Sequence, residues 1–179
     1  RMDAIDLAGA TVRVQAGAVT AEVHAHTASA GLTWPVDFAS KGSSQVGGNI
    51  ATNAGGLLCA KYGVTREAVL GLKVVLADGR LIELGHRTVK GVTGLDFTAL
   101  MIGSEGTLGV IVEATVKVRR LVAGVVPTIS ATFATVDDAA RASAVITASG
   151  LHPSIMELIG DSAMAAICAH LGIEHPGEI

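Results

Sequence analysis

Val12 and Val14 alternate with Thr11, Arg13 and Gln15, the period-two pattern of a half-buried strand that Gly17 ends. The spacing then lengthens: Thr20 is placed to cap a helix with Val23, His26, Thr27 and Ala30 on one side and Gly31 as its stop. Residues 72–76 and 80–84 are β-rich runs joined by Asp78-Gly79, which predicts a hairpin with a two-residue turn. Asp96 is placed to cap a short helix through about Met101, and a strand follows from Val110 to near Arg119. Beyond Pro127, residues 128–134 and 155–159 read as strands, and helices are predicted from Asp137 or Asp138 to Gly150 and from Asp161 to Leu171 ahead of Gly172. This order of elements predicts an α+β fold, with an antiparallel sheet flanked by helices rather than a doubly wound parallel one. A boundary at residues 121–126 separates a domain at 1–122 from the start of another at 123–179.

Between the first helix and the hairpin the pattern gives way to glycine. Residues 35–56 hold Gly42, Gly47, Gly48, Gly55 and Gly56 among Ser, Thr and Asn, with Val46 and Ile50 as aliphatic anchors in the glycine-rich half. Much of such a surface is backbone, which a large polar ligand can approach without meeting a Cβ; successive N–H groups there can donate to phosphate oxygens. Composition alone also fits a plain flexible loop. A short helix is expected from about Gly47 to Asn53, its N-terminus adding partial positive charge to an anion site. A second cluster, Gly103-Ser104-Glu105-Gly106-Thr107-Leu108-Gly109, runs directly into β-like sequence. This reverses the strand-then-helix context that the dinucleotide fingerprint needs.

Four stretches carry a resemblance: residues 46–56, Lys61-Tyr62-Gly63, Asp78-Gly79-Arg80, and residues 103–111. They resemble the FAD-linked oxidases of the vanillyl-alcohol-oxidase and p-cresol-methylhydroxylase type, nearest to the group of the glycolate oxidase large subunit, D-lactate dehydrogenase and D-2-hydroxyglutarate dehydrogenase. The resemblance implies that residues 1–122 are the second FAD-binding subdomain and that residues 123–179 begin a ferredoxin-like substrate cap. It implies a fragment, lacking a preceding pyrophosphate loop and the later substrate and metal residues. By the same resemblance FAD, held without a covalent bond, would touch Pro35, Val36, Asp37, Phe38, Ala39, Ser40 and Lys41; Gly47, Gly48, Asn49, Ala51, Thr52, Asn53, Ala54 and Gly55; and Gly103, Ser104, Glu105, Gly106, Thr107, Leu108, Gly109, Val110 and Ile111. Thr52 and Asn53 would offer side-chain hydrogen bonds, and Val110 and Ile111 backbone groups.

The implied reaction is oxidation of a small 2-hydroxy acid by hydride transfer to the flavin. Relatives acting on phenols, sugars, lactones or alkyl-dihydroxyacetone phosphates, and a module that binds no cofactor by itself, are the alternatives. No catalytic residue is assigned within the chain.

Composition narrows the remaining classes. The net charge of −3 and five scattered aromatics (one Trp, one Tyr, three Phe) offer neither a basic stripe nor a stacking platform for nucleic acid. No run approaches the ~18 apolar residues of a membrane span, and no signal peptide opens the sequence, so a cytoplasmic protein is expected. Cys59 and Cys168 stand apart, without a Cys-x-x-Cys, which disfavours a disulfide framework or a thiolate metal site. His24 and His26, two apart on a helix, point to different faces and read as solvent-exposed rather than as metal ligands. His170 and His175 are weaker metal candidates, and His152 before Pro153 marks a strand entry. Glu105 is expected to brace its loop through a carboxylate held by nearby N–H groups. Uncovered sheet surface in the truncated second domain is expected to favour self-association.

Overall fold

The computed structural model describes residues 1–174. The chain divides into two units, Arg1–Ala123 and Gly124–Ile179.

The first unit is α+β, as the element order predicts. Strands β1 (Thr11–Gln15), β3 (Val69–Val75), β4 (Leu81–Gly85) and β5 (Val110–Lys117) form one antiparallel sheet in the order β1-β5-β3-β4. Helices α1 (Thr20–Ala28), α2 (Val46–Ala51), α3 (Cys59–Tyr62) and α4 (Phe97–Met101) accompany it, with one 3-10 turn at Thr65–Ala68. A separate two-stranded ladder joins β2 (Leu32–Thr33) to β6 (Arg119–Arg120). Period-two alternation sends Val12, Val14, Leu72, Val74, Ala114 and Val116 into one core with Val23, Trp34, Val46 and Ile50. The alternate positions form a polar face, where Lys73 Nζ lies 3.4 Å from Glu83 and 3.3 Å from Glu113 across neighbouring strands. The leading residues run along β1, Asp3 N–H donating to Arg13 O and Gln15 N–H to Arg1 O.

Two local expectations change. The hairpin forms, but Leu76 N–H donates to Arg80 O and Gly79 N–H to Leu76 O, so the loop has three residues, 77–79, with Gly79 at φ +84°. A type I turn closed by a left-handed glycine matches strand twist as well as a two-residue turn does. Thr20 is the first residue of α1, whose N-cap is Val19 without a side-chain cap; its hydroxyl instead donates to Ser44 O at 3.1 Å. Asp96 caps α4 as expected, accepting from Ala99 N–H at 2.8 Å.

The second unit contains α5 (Val136–Ala148) and α6 (Asp161–Leu171), the latter ending at left-handed Gly172. The cap of α5 is Thr135, whose hydroxyl accepts from Asp138 N–H, rather than Asp137 or Asp138. The strands expected at 128–134 and 155–159 are absent, and His152 therefore enters no strand. An alternating pattern becomes a strand only when another strand completes its ladder, and no ladder occurs in this unit among the described residues.

Candidate functional site

Helix α2 sits where the two glycine-rich segments meet. Its first N–H groups are spent on the β1–α1 turn: Val46 N–H donates to Ala18 O and Gly47 N–H to Ala16 O, at 2.9 and 2.8 Å. Two of the donors expected to serve an anion at this N-terminus are therefore engaged by main-chain carbonyls of the same unit. The other end of α2 receives the second glycine segment. Gly103 N–H donates to Ile50 O at 3.1 Å and Glu105 N–H to Ala51 O at 2.9 Å. Segments some fifty residues apart in sequence thus share one surface.

The third stretch joins through Asp37. Leu57 N–H donates to Asp37 O at 3.0 Å, and a Cβ on Gly56 would fall 2.0 Å from that same oxygen, so glycine is required there by close approach. Lys41 Nζ lies 3.1 Å from the Asp37 carboxylate, an exposed pair worth no more than about 1 kcal/mol. Buried Asn49 donates to Thr20 Oγ1 at 2.7 Å, fastening α2 to α1.

The expected cofactor residues separate by exposure. Ala39, Ser40, Lys41, Gly48, Thr52, Gly55, Gly103, Glu105, Gly106, Thr107, Leu108 and Val110 are exposed, with Asp37, Ala51, Asn53, Ala54, Ser104 and Gly109 half-buried. Pro35, Val36, Phe38, Gly47, Asn49 and Ile111 are buried within the unit. Gly47 is small for packing, since its Cβ would meet Ala16 Cβ at 2.6 Å, whereas Gly48 faces open space. The Thr52 hydroxyl donates back to Gly48 O at 2.9 Å, and Asn53 Oδ1 is taken by Arg66 N–H at 3.0 Å. Asn53 and Glu105 both hold positive φ, +48° and +52°, a costly conformation for side-chain-bearing residues that concentrates at functional sites. Glu105 braces its loop through its N–H rather than its carboxylate, which makes no hydrogen bond among the described residues.

Sequence reasoning passed over Thr65 and Arg66. Thr65 is fully buried, with its hydroxyl donating to Ala54 O at 2.8 Å. Arg66 donates to Ala99 O and Ile102 O at 2.7 and 3.0 Å. Nothing in the sequence marked them, because the Thr65 hydroxyl and the Arg66 guanidinium both bond main-chain carbonyls. The two helical histidines are half-buried rather than solvent-exposed, with His24 Nε2 2.9 Å from Val36 O and His26 Nε2 3.0 Å from Asp3 O. His175 lies outside the described residues. Cys59 Sγ accepts from Gly56 N–H at 2.9 Å. A shallow concavity of about 120 Å³ lies elsewhere, on the polar sheet face around Arg13, Lys73, Glu83 and Glu113. There Arg13 is paired with Asp3, and Lys73 with both glutamates. No helix among the described residues is long and apolar enough to cross a membrane.

Residues 1–85 match a family described as an FAD binding domain. A D-2-hydroxyglutarate dehydrogenase of Xanthomonas citri pv. viticola is 56% identical over 107 residues, covering 60% of this chain and 23% of that protein. The glycolate oxidase subunit GlcD of Bacillus subtilis is 40% identical over 169 residues, covering 91% of this chain and 34% of that protein. Among solved structures, an alkyldihydroxyacetonephosphate synthase superposes with a TM-score of 0.57 at 28% identity, over 67% of this chain and 21% of that one. The chain therefore spans a quarter to a third of the curated relatives' length, and its resemblance to FAD-linked oxidoreductases holds.

Proposed function

We propose that this chain, whose residues 1–85 match the FAD binding domain family, serves as the second half of the flavin site of an enzyme that oxidises a small 2-hydroxy acid. The observation that carries the proposal is the joining of the two glycine segments at the end of α2, through Gly103 N–H on Ile50 O and Glu105 N–H on Ala51 O. The residues present fit such a cofactor. Gly55, Gly106 and Leu108 are exposed residues whose amides make no hydrogen bond among the described residues, and Gly48 and Gly106 have open space where a Cβ would stand. A flat ring system with carbonyl and phosphate oxygens needs this combination of free N–H groups and absent side chains. Gly48, Thr52 and Gly55 would hold it from one side, and the segment from Gly103 to Val110 from the other.

Bound FAD would supply the acceptor for the hydride leaving the substrate's α-carbon. The chain's own contribution is position, with α2 and α4 packed on the sheet so that the two segments keep one spacing. No residue described here is assigned to proton transfer. Attachment is non-covalent in this reading, Cys59 being occupied as an acceptor within its own turn.

A 2-hydroxy acid is favoured because curated relatives are named for D-2-hydroxyglutarate, glycolate and D-lactate. The likeness to an alkyldihydroxyacetonephosphate synthase supports a second reading, a flavoenzyme of another substrate class. Anaerobic mixing of the full-length protein with D-2-hydroxyglutarate, glycolate or D-lactate should bleach the visible flavin band. A yellow protein bleached by none of them would favour the second reading, and a colourless protein that takes up no added FAD would overturn both. Both thiols are free, which supports a reducing, cytoplasmic location. The exposed apolar side chains of the second unit support self-association of the 179-residue chain, and light scattering that finds only monomer would exclude it.

A further inference from the structure

We infer that Arg66 is a positioning residue that sets the spacing of the two glycine segments and hence the affinity for flavin; the inference rests on the flavin reading above. The 3-10 turn carrying Arg66 is tied to the end of the first segment. Thr65 N–H and Thr65 Oγ1 both donate to Ala54 O, at 3.3 and 2.8 Å, and Arg66 N–H donates to Asn53 Oδ1 at 3.0 Å. From this anchor the guanidinium reaches to α4. Nη1 donates to Ala99 O at 2.7 Å and Nη2 to Ile102 O at 3.0 Å, the residues that end α4 immediately before Gly103.

Carbonyls at a helix C-terminus lack intrahelical donors, and a cation there is favoured by the helix dipole. Arg66 satisfies two of them with one rigid planar group. Two donors on one plane fix both the distance and the angle between the turn and α4, which a lysine's single ammonium on a flexible stem does not do. A Cβ on Gly103 would lie 3.3 Å from Asn53 Cβ and 4.0 Å from Arg66 Nη2, so the three residues are stacked at the junction. The two hydrogen bonds from the second segment to α2 begin at that point. Both hydrogen-bond partners of the guanidinium among the described residues are main-chain carbonyls, which suits a group holding backbone in place.

The test uses the full-length protein with Arg66→Met, Arg66→Lys and a control, Val116→Ala, which removes a buried core side chain on β5. Flavin affinity is read by FAD fluorescence, the environment of the bound ring by its visible absorption band, and fold stability by thermal melting without FAD. Arg66→Met should weaken FAD binding about tenfold or more and alter the band, in line with loss of a charge-assisted hydrogen bond. Arg66→Lys should fall between it and wild type. Val116→Ala should lower the melting temperature while FAD affinity stays within about twofold of wild type. Arg66→Met binding FAD as wild type does, or losing no more affinity than Val116→Ala at matched destabilisation, would overturn the inference alone. Wild-type protein that binds no FAD would overturn the flavin reading and this inference with it.

Discussion

In the first unit Trp34, Ile50, Val74 and Val116 are fully buried, while in the second Cys168 is the sole buried apolar side chain among the described residues. Ile129, Phe133, Val145, Ile155 and Leu158 all stand exposed there. Both units carry apolar patterns of helical and strand period, so pattern does not separate them. Partners do. A helix closes its hydrogen bonds within itself, and α5 and α6 form in the second unit as α1 and α2 do in the first. A strand closes none alone. The alternating residues 11–15 meet β5 and become β1, whereas residues 128–134 alternate as well and meet no strand.

The sharpest way to break this comparison is to truncate one isoleucine in each unit. Ile50→Ala should cost about 2–5 kcal/mol, the range for emptying a packed core site, and Ile155→Ser no more than about 0.5 kcal/mol, as for an exposed position. Urea denaturation of the 179-residue chain measures both, and equal losses would show that Ile155 sits in a core of its own. Within the first unit, adjacent glycines of α2 should respond with opposite sign. Gly47→Ala must push against Ala16 and cost about 1–3 kcal/mol. Gly48→Ala faces open space and should stabilise the cofactor-free fold by up to about 1 kcal/mol, while weakening FAD binding. A Gly48→Ala protein that keeps wild-type FAD affinity would take Gly48 out of the cofactor wall.

Gly106 and Gly150 give a matched pair across the two units. Each holds positive φ, +81° and +79°, and neither has a heavy atom within 4 Å of its missing Cβ. Valine at either site should cost about 1–2 kcal/mol of local strain, but only Gly106→Val should lose flavin, read as visible absorbance per protein. Equal retention in both would separate the second glycine segment from the cofactor. The smallest effect concerns Asp3. The hydrogen bond from Arg13, 2.8 Å from Nε to Oδ2, holds its carboxyl below the ordinary 3.8 despite some desolvation. A depressed folded value means that the stabilisation is present above pH 3.8 and disappears as pH falls through the folded value. Asp3→Asn should therefore lower stability by a constant amount above pH 3.8, converge with wild type at pH below the folded value, and so flatten the acid side of the stability curve. An acid limb identical to wild type would mean that the pair is broken in solution.

Local chemistry was legible wherever it closes over a few residues. The sequence by itself determined the place of the hairpin turn at Asp78-Gly79, though not its three-residue length, together with the Asp96 cap, the helix at Asp161–Leu171 with Gly172 behind it, and the glycine-rich surfaces. Each rests on hydrogen bonds or φ angles within about five positions of chain. What depends on remote segments was decided by tertiary structure. The order β1-β5-β3-β4 follows from which apolar faces bury one another. Thr20 left its expected capping role because Ser44 and Asn49 offered its hydroxyl better partners. At the N-terminus of α2, Val46 and Gly47 give their N–H groups to Ala18 and Ala16, carbonyls remote in sequence. Arg66 could not be singled out because its partners, Ala99 O and Ile102 O, are backbone atoms that every residue possesses. Only folding chose those two, since a main-chain carbonyl leaves no mark in the sequence of the residue that carries it.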